Sequence, residues 1–201
     1  MWVYLDIETL DLTGKVLLQI SAVTEDNNRF NVYINPPLKT NKGNNITQLF
    51  AYNGNLYKKG RLLPSFPLQD ALKLFRHWIS EFSDVRICAF NGFGFDFRIL
   101  IWFFHKSQID FPPNILNLCD PLPAIKRKLH SIVPGYRLAE IATHYKIENS
   151  DPHNGLSDAV CLKNICDAFT KDCDSDLTTI LTPNSKSIEH YLQKIKIKMS
   201  K

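Results

Sequence analysis

The stretch Trp2-Val-Tyr-Leu-Asp-Ile-Glu8 opens the chain and sets its reading. Trp, Val, Tyr, Leu and Ile favour extended backbone, so residues 2–7 are expected to form a strand. Side chains at i and i+2 of a strand share one face. Asp6 and Glu8 therefore project together from one side of a sheet, at the end of an apolar run. Alone, an Asp-x-Glu pair is a weak signal, since two solvated acids at a strand end satisfy it equally well.

Working outward, residues 16–24 and 29–34 read as two more strands. The short turn Glu25-Asp-Asn-Asn28 between them makes them antiparallel. Residues 36–64 read as a long polar loop rich in Asn, Gly and Lys, a length that in a compact domain marks a functional or disordered segment. Apolar residues at 68, 71, 72, 75, 78, 79 and 82 repeat at helical spacing. A short strand at 85–90, a buried helix at 95–104 and a strand at 115–119 follow. Pro121 then starts a basic helix with Lys126, Arg127 and Lys128, and helices are expected at 137–145 and 156–169. The order predicts an α/β fold with a mixed five-stranded sheet and helices on both faces. Residues 1–175 form one domain in this reading. Residues 176–201 form a C-terminal amphipathic helix or tail, with apolar residues at 188, 191, 192 and 195.

The bulk properties exclude more than they specify. A chain of 201 residues, 44% hydrophobic and 22% charged, suits one soluble domain with a real core. Its longest apolar run, residues 99–104, is too short to cross a membrane, and its start has no basic n-region of a signal peptide. Such an abrupt start suits a domain cut from a longer protein, with a genuine start as the alternative. Cys88, Cys119, Cys161, Cys166 and Cys173 form no C-x-x-C pair, which suits reduced thiols in the nucleus or cytoplasm. A net charge of +4 permits a polyanionic partner without demanding one.

Two further segments change the weight of Asp6 and Glu8. Asn91-Gly-Phe-Gly-Phe-Asp96 ends in an acid at the start of a helix. His153-Asn-Gly-Leu-Ser-Asp158 places a histidine five residues before an acid at the start of another. Singly, Asp96 reads as a helix cap and Asp158 as an exposed acid, while His153 fits a functional and a plain role equally well. Jointly they supply carboxylates from separate parts of the chain. Hard cations such as Mg²⁺ and Mn²⁺ take such oxygen ligands, often with substrate phosphate. Two ions ~3.5–4 Å apart stabilise attacking and leaving oxygens together. His153, with an unperturbed pKa of ~6.5, suits proton abstraction from water near neutral pH.

In order and spacing these motifs resemble the DnaQ-like, DEDDh class of 3′→5′ exonucleases, over roughly residues 1–170. The resemblance implies an RNase H-like fold and release of nucleoside 5′-monophosphates from 3′ ends, DNA favoured. It implies two Mg²⁺ or Mn²⁺ ions held by Asp6, Glu8, Asp96 and Asp158, with His153 activating the water. Asp120-Pro-Leu-Pro-Ala-Ile-Lys126, Gly135-Tyr-Arg-Leu-Ala-Glu-Ile141, Asp151-Pro-His-Asn154 and Phe30-Asn-Val-Tyr-Ile-Asn-Pro36 look closest to Trex-type exonucleases and to the exonuclease-like C-terminal domain of promyelocytic leukaemia protein. Trex-like enzymes also imply a homodimer through an edge strand, here residues 29–34.

By the same resemblance Ile7, Thr9, Thr47, Leu49 and Asn91 face the substrate. For Thr47 and Leu49, in Ile46-Thr-Gln-Leu49, a plain surface loop is an equal alternative, because the family's Gly is missing. Phe90 also departs, standing where the family commonly has His before Asn-Gly. Lys58, Lys59, Arg61 and the 126–128 cluster are candidates for phosphate, and Tyr52, Tyr57, Phe93 and Phe95 for stacking on bases, although a solvated face explains each charge cluster, and core packing each aromatic, more simply. Two rival readings remain: an RNA 3′ exonuclease of the same class, and a catalytically silent nucleic-acid or protein interaction module.

Overall fold

The computed structural model describes residues 1–199, those from 194 onward by backbone alone, so the expected apolar contact at 195 lies outside the described side chains. Strands β1 (Trp2–Thr9), β2 (Leu17–Thr24) and β3 (Arg29–Tyr33) pair as successive antiparallel hairpins. Four short strands follow: β4 (Asn41–Asn44), β5 (Leu49–Tyr52), β6 (Asn55–Lys58) and β7 (Arg61–Leu62). Helix α1 (Leu68–Ser80) leads to β8 (Val85–Cys88), and α2 (Asp96–Lys106) to β9 (Ile115–Cys119). Then come α3 (Leu122–Lys128), α4 (Leu138–His144), α5 (Gly155–Cys173), α6 (Leu177–Leu181), β10 (Ser185–Ser187) and α7 (Ile188–Met199).

The main sheet is mixed and runs β10-β9-β8-β1-β2-β3. β1, β8 and β9 are parallel because helices make the return crossings between them. β1 alternates between two cores. Val3, Leu5 and Ile7 meet Leu72, Phe75 and Ile79 of α1 and Phe97, Leu100 and Phe104 of α2. Trp2 and Tyr4 meet Leu162, Ile165 and Phe169 of α5 on the other face. Burying each such side chain contributes roughly 1.5–3 kcal/mol, so both faces are held mainly by apolar area. Asp6 and Glu8 continue the Trp2/Tyr4 face, which directs them toward the start of α5.

The sheet has six strands where the sequence predicts five. The sixth, β10, pairs antiparallel with β9 from Ser185 to Ser187. Its Ser-Lys-Ser sequence has no apolar alternation, so backbone pairing alone makes it a strand. Just beyond it, Tyr191 of α7 is buried against the ring of Phe93.

Residues 36–64 are not the structureless loop the sequence reading expects. They fold into a second, four-stranded antiparallel sheet, β4-β5-β6-β7. Asn53-Gly54 and Lys59-Gly60 both take positive φ, the geometry of two-residue hairpin turns whose twist matches the flanking strands. Leu49, Ala51 and Leu56 point inward and form a third core with Leu10 and Leu18. The polar composition concealed this because only every second residue of these short strands is buried.

Candidate metal-binding active site

Three separately encoded segments meet at the end of β1. Helix α5 begins with Asn154, whose Oδ1 accepts from Leu156 N and caps the helix. Gly155 brings the helix start against the sheet, since a Cβ there would lie 2.8 Å from Ser21 Oγ and 3.3 Å from Asp6 Oδ2. Asp158, on the first turn, consequently faces β1. Asp6, Glu8 and Asp158 each offer a carboxylate oxygen, and these atoms all lie within 4.8 Å of one another. Asp96, at the start of α2, joins from the side: its Oδ1 accepts the backbone N–H of Ile7 at 3.2 Å. That bond ties the start of α2 to the backbone residue between the two acids of β1.

Burial and mutual repulsion both penalise ionisation here. Burial pushes Glu8 up to about 8, reinforced by the charges of Asp158 and Asp96 and opposed by Lys58. Asp6 is held well above the usual carboxylate range by burial, then by Asp96, Glu8 and Asp158. Burial raises Asp96 to about 7 despite backbone N–H bonds to its charged form. Asp158 is raised by burial, with Asn149 and the N–H of His153 pulling the other way. Converging, partly desolvated oxygen donors with this much repulsion fit a hard divalent cation, which would relieve it. Asp6, Glu8 and Asp158 would be the ligands, with Asp96 alongside.

A second layer holds the acids. Asp158 accepts Asn149 Nδ2 on Oδ1 at 2.6 Å and the His153 backbone N–H on Oδ2 at 3.0 Å. His153 itself is exposed and has φ of 63°, a left-handed conformation uncommon outside Gly, Asn, Asp and His. Asp151 accepts Lys58 Nζ at 2.9 Å and Asn154 Nδ2 at 2.9 Å. Gln19 of β2 accepts Gly155 N at 3.3 Å. Buried Asp120 accepts the N–H of Asn91 at 3.1 Å and of Leu122 at 3.0 Å, which fixes the turn feeding Asp96. Within that turn, Gly92 leaves room for the Phe97 ring, which a Cβ would meet at 2.5 Å.

Of the five residues expected to act together, Asp6, Glu8 and Asp158 converge, Asp96 is tied to the backbone of Ile7, and the backbone N–H of His153 bonds Asp158. Asn149, Gln19 and the holding role of Asp120 were missed. Gln19 acts on a residue 136 positions away and Asp120 on one 29 away, so no local pattern marks them. Of the residues expected against substrate, Asn91 is exposed, whereas Ile7, Thr9, Thr47 and Leu49 are buried at 3%, 4%, 4% and 2% exposure. Thr9 Oγ1 donates to Asp11 O, and Thr47 Oγ1 accepts from Leu49 N. Phe93 and Phe95 pack on the core, while Tyr52 is half exposed. Phe90 packs beside the α5 core. In the basic helix, Lys126 lies over the Tyr136 ring and Lys128 reaches Asp172.

No family model matches the chain. Over 102 residues, 48% of its length, it is 30% identical to the chloroplastic/mitochondrial exonuclease DPD1 of Arabidopsis thaliana, of which it spans 32%. Among solved structures it resembles E. coli exonuclease I with a dA16 oligonucleotide, with a TM-score of 0.67 at 15% identity, over 85% of this chain and 40% of that one. The zinc-bound complex of E. coli exonuclease I with single-stranded DNA gives a TM-score of 0.67 at 14% identity, with the same coverage. The fold is therefore the RNase H-like α/β fold of exonucleases. Among the described residues, no helix is long and apolar enough to cross a membrane.

Proposed function

We propose that this domain is a metal-dependent 3′→5′ exonuclease of the DEDDh kind, acting on DNA 3′ ends and releasing nucleoside 5′-monophosphates. One observation carries the reading: carboxylates from β1 and α5 converge within 4.8 Å, beside a fourth from α2. Asp6, Glu8, Asp96 and Asp158 would hold two Mg²⁺ or Mn²⁺ ions. When bound, such ions stabilise negative charge on the attacking and leaving oxygens. His153 takes a proton from the attacking water, and its backbone bond to Asp158 keeps it at the rim of the acidic cluster. Asp120 and Asn149 hold Asp96 and Asp158 in register, so little reorganisation is needed at reaction.

The names of the relatives support nucleic acid as substrate, and the oligonucleotides on E. coli exonuclease I support single-stranded DNA. The motif segments at 120–126, 135–141 and 151–154 support the finer placement with Trex-type enzymes. Strand β3 is a sheet edge among the described residues, with Phe66 bonded to Tyr33 at its end and to Asn35 just beyond it, and a second copy pairing there would form the homodimer. A monomer mass in sedimentation would remove that part. All five cysteines are free, which suits the nucleus or cytoplasm, and an organellar pool on fractionation would displace that placement.

The test uses 5′-labelled single-stranded DNA, duplex DNA and RNA of one sequence, with Mg²⁺, Mn²⁺ or EDTA. A metal-dependent ladder shortening from the 3′ end is expected, fastest on DNA. Asp6→Ala abolishes it, and His153→Ala lowers turnover about 10²–10⁴-fold while binding persists. Wild-type turnover in either variant would sink the assignment.

A further inference from the structure

We propose that the outer face of the small β4–β7 sheet is a stacking surface for single-stranded polynucleotide. It holds the bases upstream of the 3′ end seated in the active site, and that direction rests on the exonuclease reading.

Three independent observations support it. First, the rings face outward by design of the register. Along β5, Leu49 and Ala51 are buried while Phe50 and Tyr52 are 43% and 50% exposed. The two rings are stacked, with planes 15° apart and centroids 6.4 Å apart. Tyr57 lies directly across from Phe50, and Leu62, 60% exposed, across from Tyr57. Gly43 sits opposite Phe50 on the other side, where a Cβ would meet the ring at 3.1 Å. Phe50, Tyr52, Tyr57 and Gly60 line a shallow apolar groove. Aromatic faces at such a surface bind any base, because every base has a π-face.

Second, the charge of this segment suits a polyanion. Residues 36–64 contain Lys39, Lys42, Lys58, Lys59 and Arg61 and not one Asp or Glu. Lys42 and Lys58 are paired with Asp11 and Asp151, both outside the segment. Lys39, Lys59 and Arg61 stand at exposed positions. An apolar protein partner would explain the rings but not this one-sided charge, whereas a phosphate backbone explains both.

Third, the sheet is fastened to the active-site rim. Lys58 Nζ reaches Asp151, two residues before His153, and Asn44 Nδ2 donates to the carbonyl of Thr9, one residue past Glu8, at 3.2 Å. Both bonds hold the small sheet beside the acidic cluster from which the strand would leave.

The experiment measures binding of 5′-labelled thymidylate tetramer and hexadecamer, and uridylate hexadecamer, by fluorescence anisotropy in EDTA, where no cleavage occurs. The hexadecamers bind at least ten-fold tighter than the tetramer. The double variant Phe50→Ala/Tyr52→Ala loses about ten- to a hundred-fold in hexadecamer affinity, with tetramer binding and melting temperature unchanged. Phe50→Tyr/Tyr52→Trp retains the affinity, and 5-iodouridine placed upstream of the 3′ end crosslinks to this face. Equal affinity for both lengths, or a double variant that binds the hexadecamer as the parent does, overturns the proposal. Ring-dependent binding without any ladder leaves this surface standing and removes the exonuclease. A ladder with ring-independent binding does the reverse.

Discussion

Lys58 Nζ lies 2.9 Å from Asp151 Oδ2, an ion pair that joins β6 of the small sheet to the loop presenting His153. Lys58 is 15% exposed and Asp151 47%, so solvent screens the pair and its worth to stability is about 0–1 kcal/mol. Its consequence is positional. The same lysine is the cation that opposes the rise of Glu8, and the same aspartate binds the cap residue Asn154. Lys58→Met is expected to leave the urea midpoint nearly unchanged while lowering kcat on single-stranded DNA about ten-fold or more. Lys58→Arg recovers part of it. Parallel urea melts and steady-state kinetics decide, and a kcat equal to the parent's would show the pair to be a surface ornament.

Gly155 is where the helix carrying Asp158 touches the strands carrying Asp6. Gly155→Ala forces a methyl to within 2.8 Å of Ser21 Oγ and 3.3 Å of Asp6 Oδ2. The hydroxyl of Ser21 is bonded to Asn31, so it does not simply turn away. Relief requires α5 to lift, at a cost of about 1–3 kcal/mol, and lifting separates Asp158 from Asp6. The expected result is a lower melting temperature together with weaker Mn²⁺ binding by calorimetry. Adding Ser21→Ala removes the closest contact and restores part of both, a coupling that independent sites would not show. A Gly155→Ala protein that binds Mn²⁺ like the parent contradicts the close-approach argument.

The acids also set how stability depends on pH. Glu8 at about 8 and Asp96 at about 7 in the fold, with Asp6 and Asp158 also raised, compare with ~4 for carboxyls in an unfolded chain. Between those limits the folded protein holds more protons than the unfolded one, so stability falls as pH rises. In EDTA the melting temperature should drop steadily from pH 5 to pH 8. Mg²⁺ binds the ionised acids of the folded state alone, so it flattens the decline. Asp6→Asn should also flatten it, by removing one of the charges. A melting temperature that rises over this range in EDTA would contradict the assigned burial of these acids.

Residue order alone determined what rests on short-range periodicity. Alternation along Trp2–Glu8 put Asp6 and Glu8 on one face, and helical spacing located α1, because both patterns repeat within a few residues. The tertiary structure alone decided the rest. β10 exists because β9 offers it an edge, not because Ser-Lys-Ser favours extension. The small sheet exists because Leu49, Ala51 and Leu56 find Leu10 and Leu18, residues distant in the chain. Asn149, Gln19 and Asp120 hold the acids through hydrogen bonds to partners outside any local pattern. Such contacts carry their energy only when folding has brought both groups together, so neither partner's own neighbours in the sequence record them.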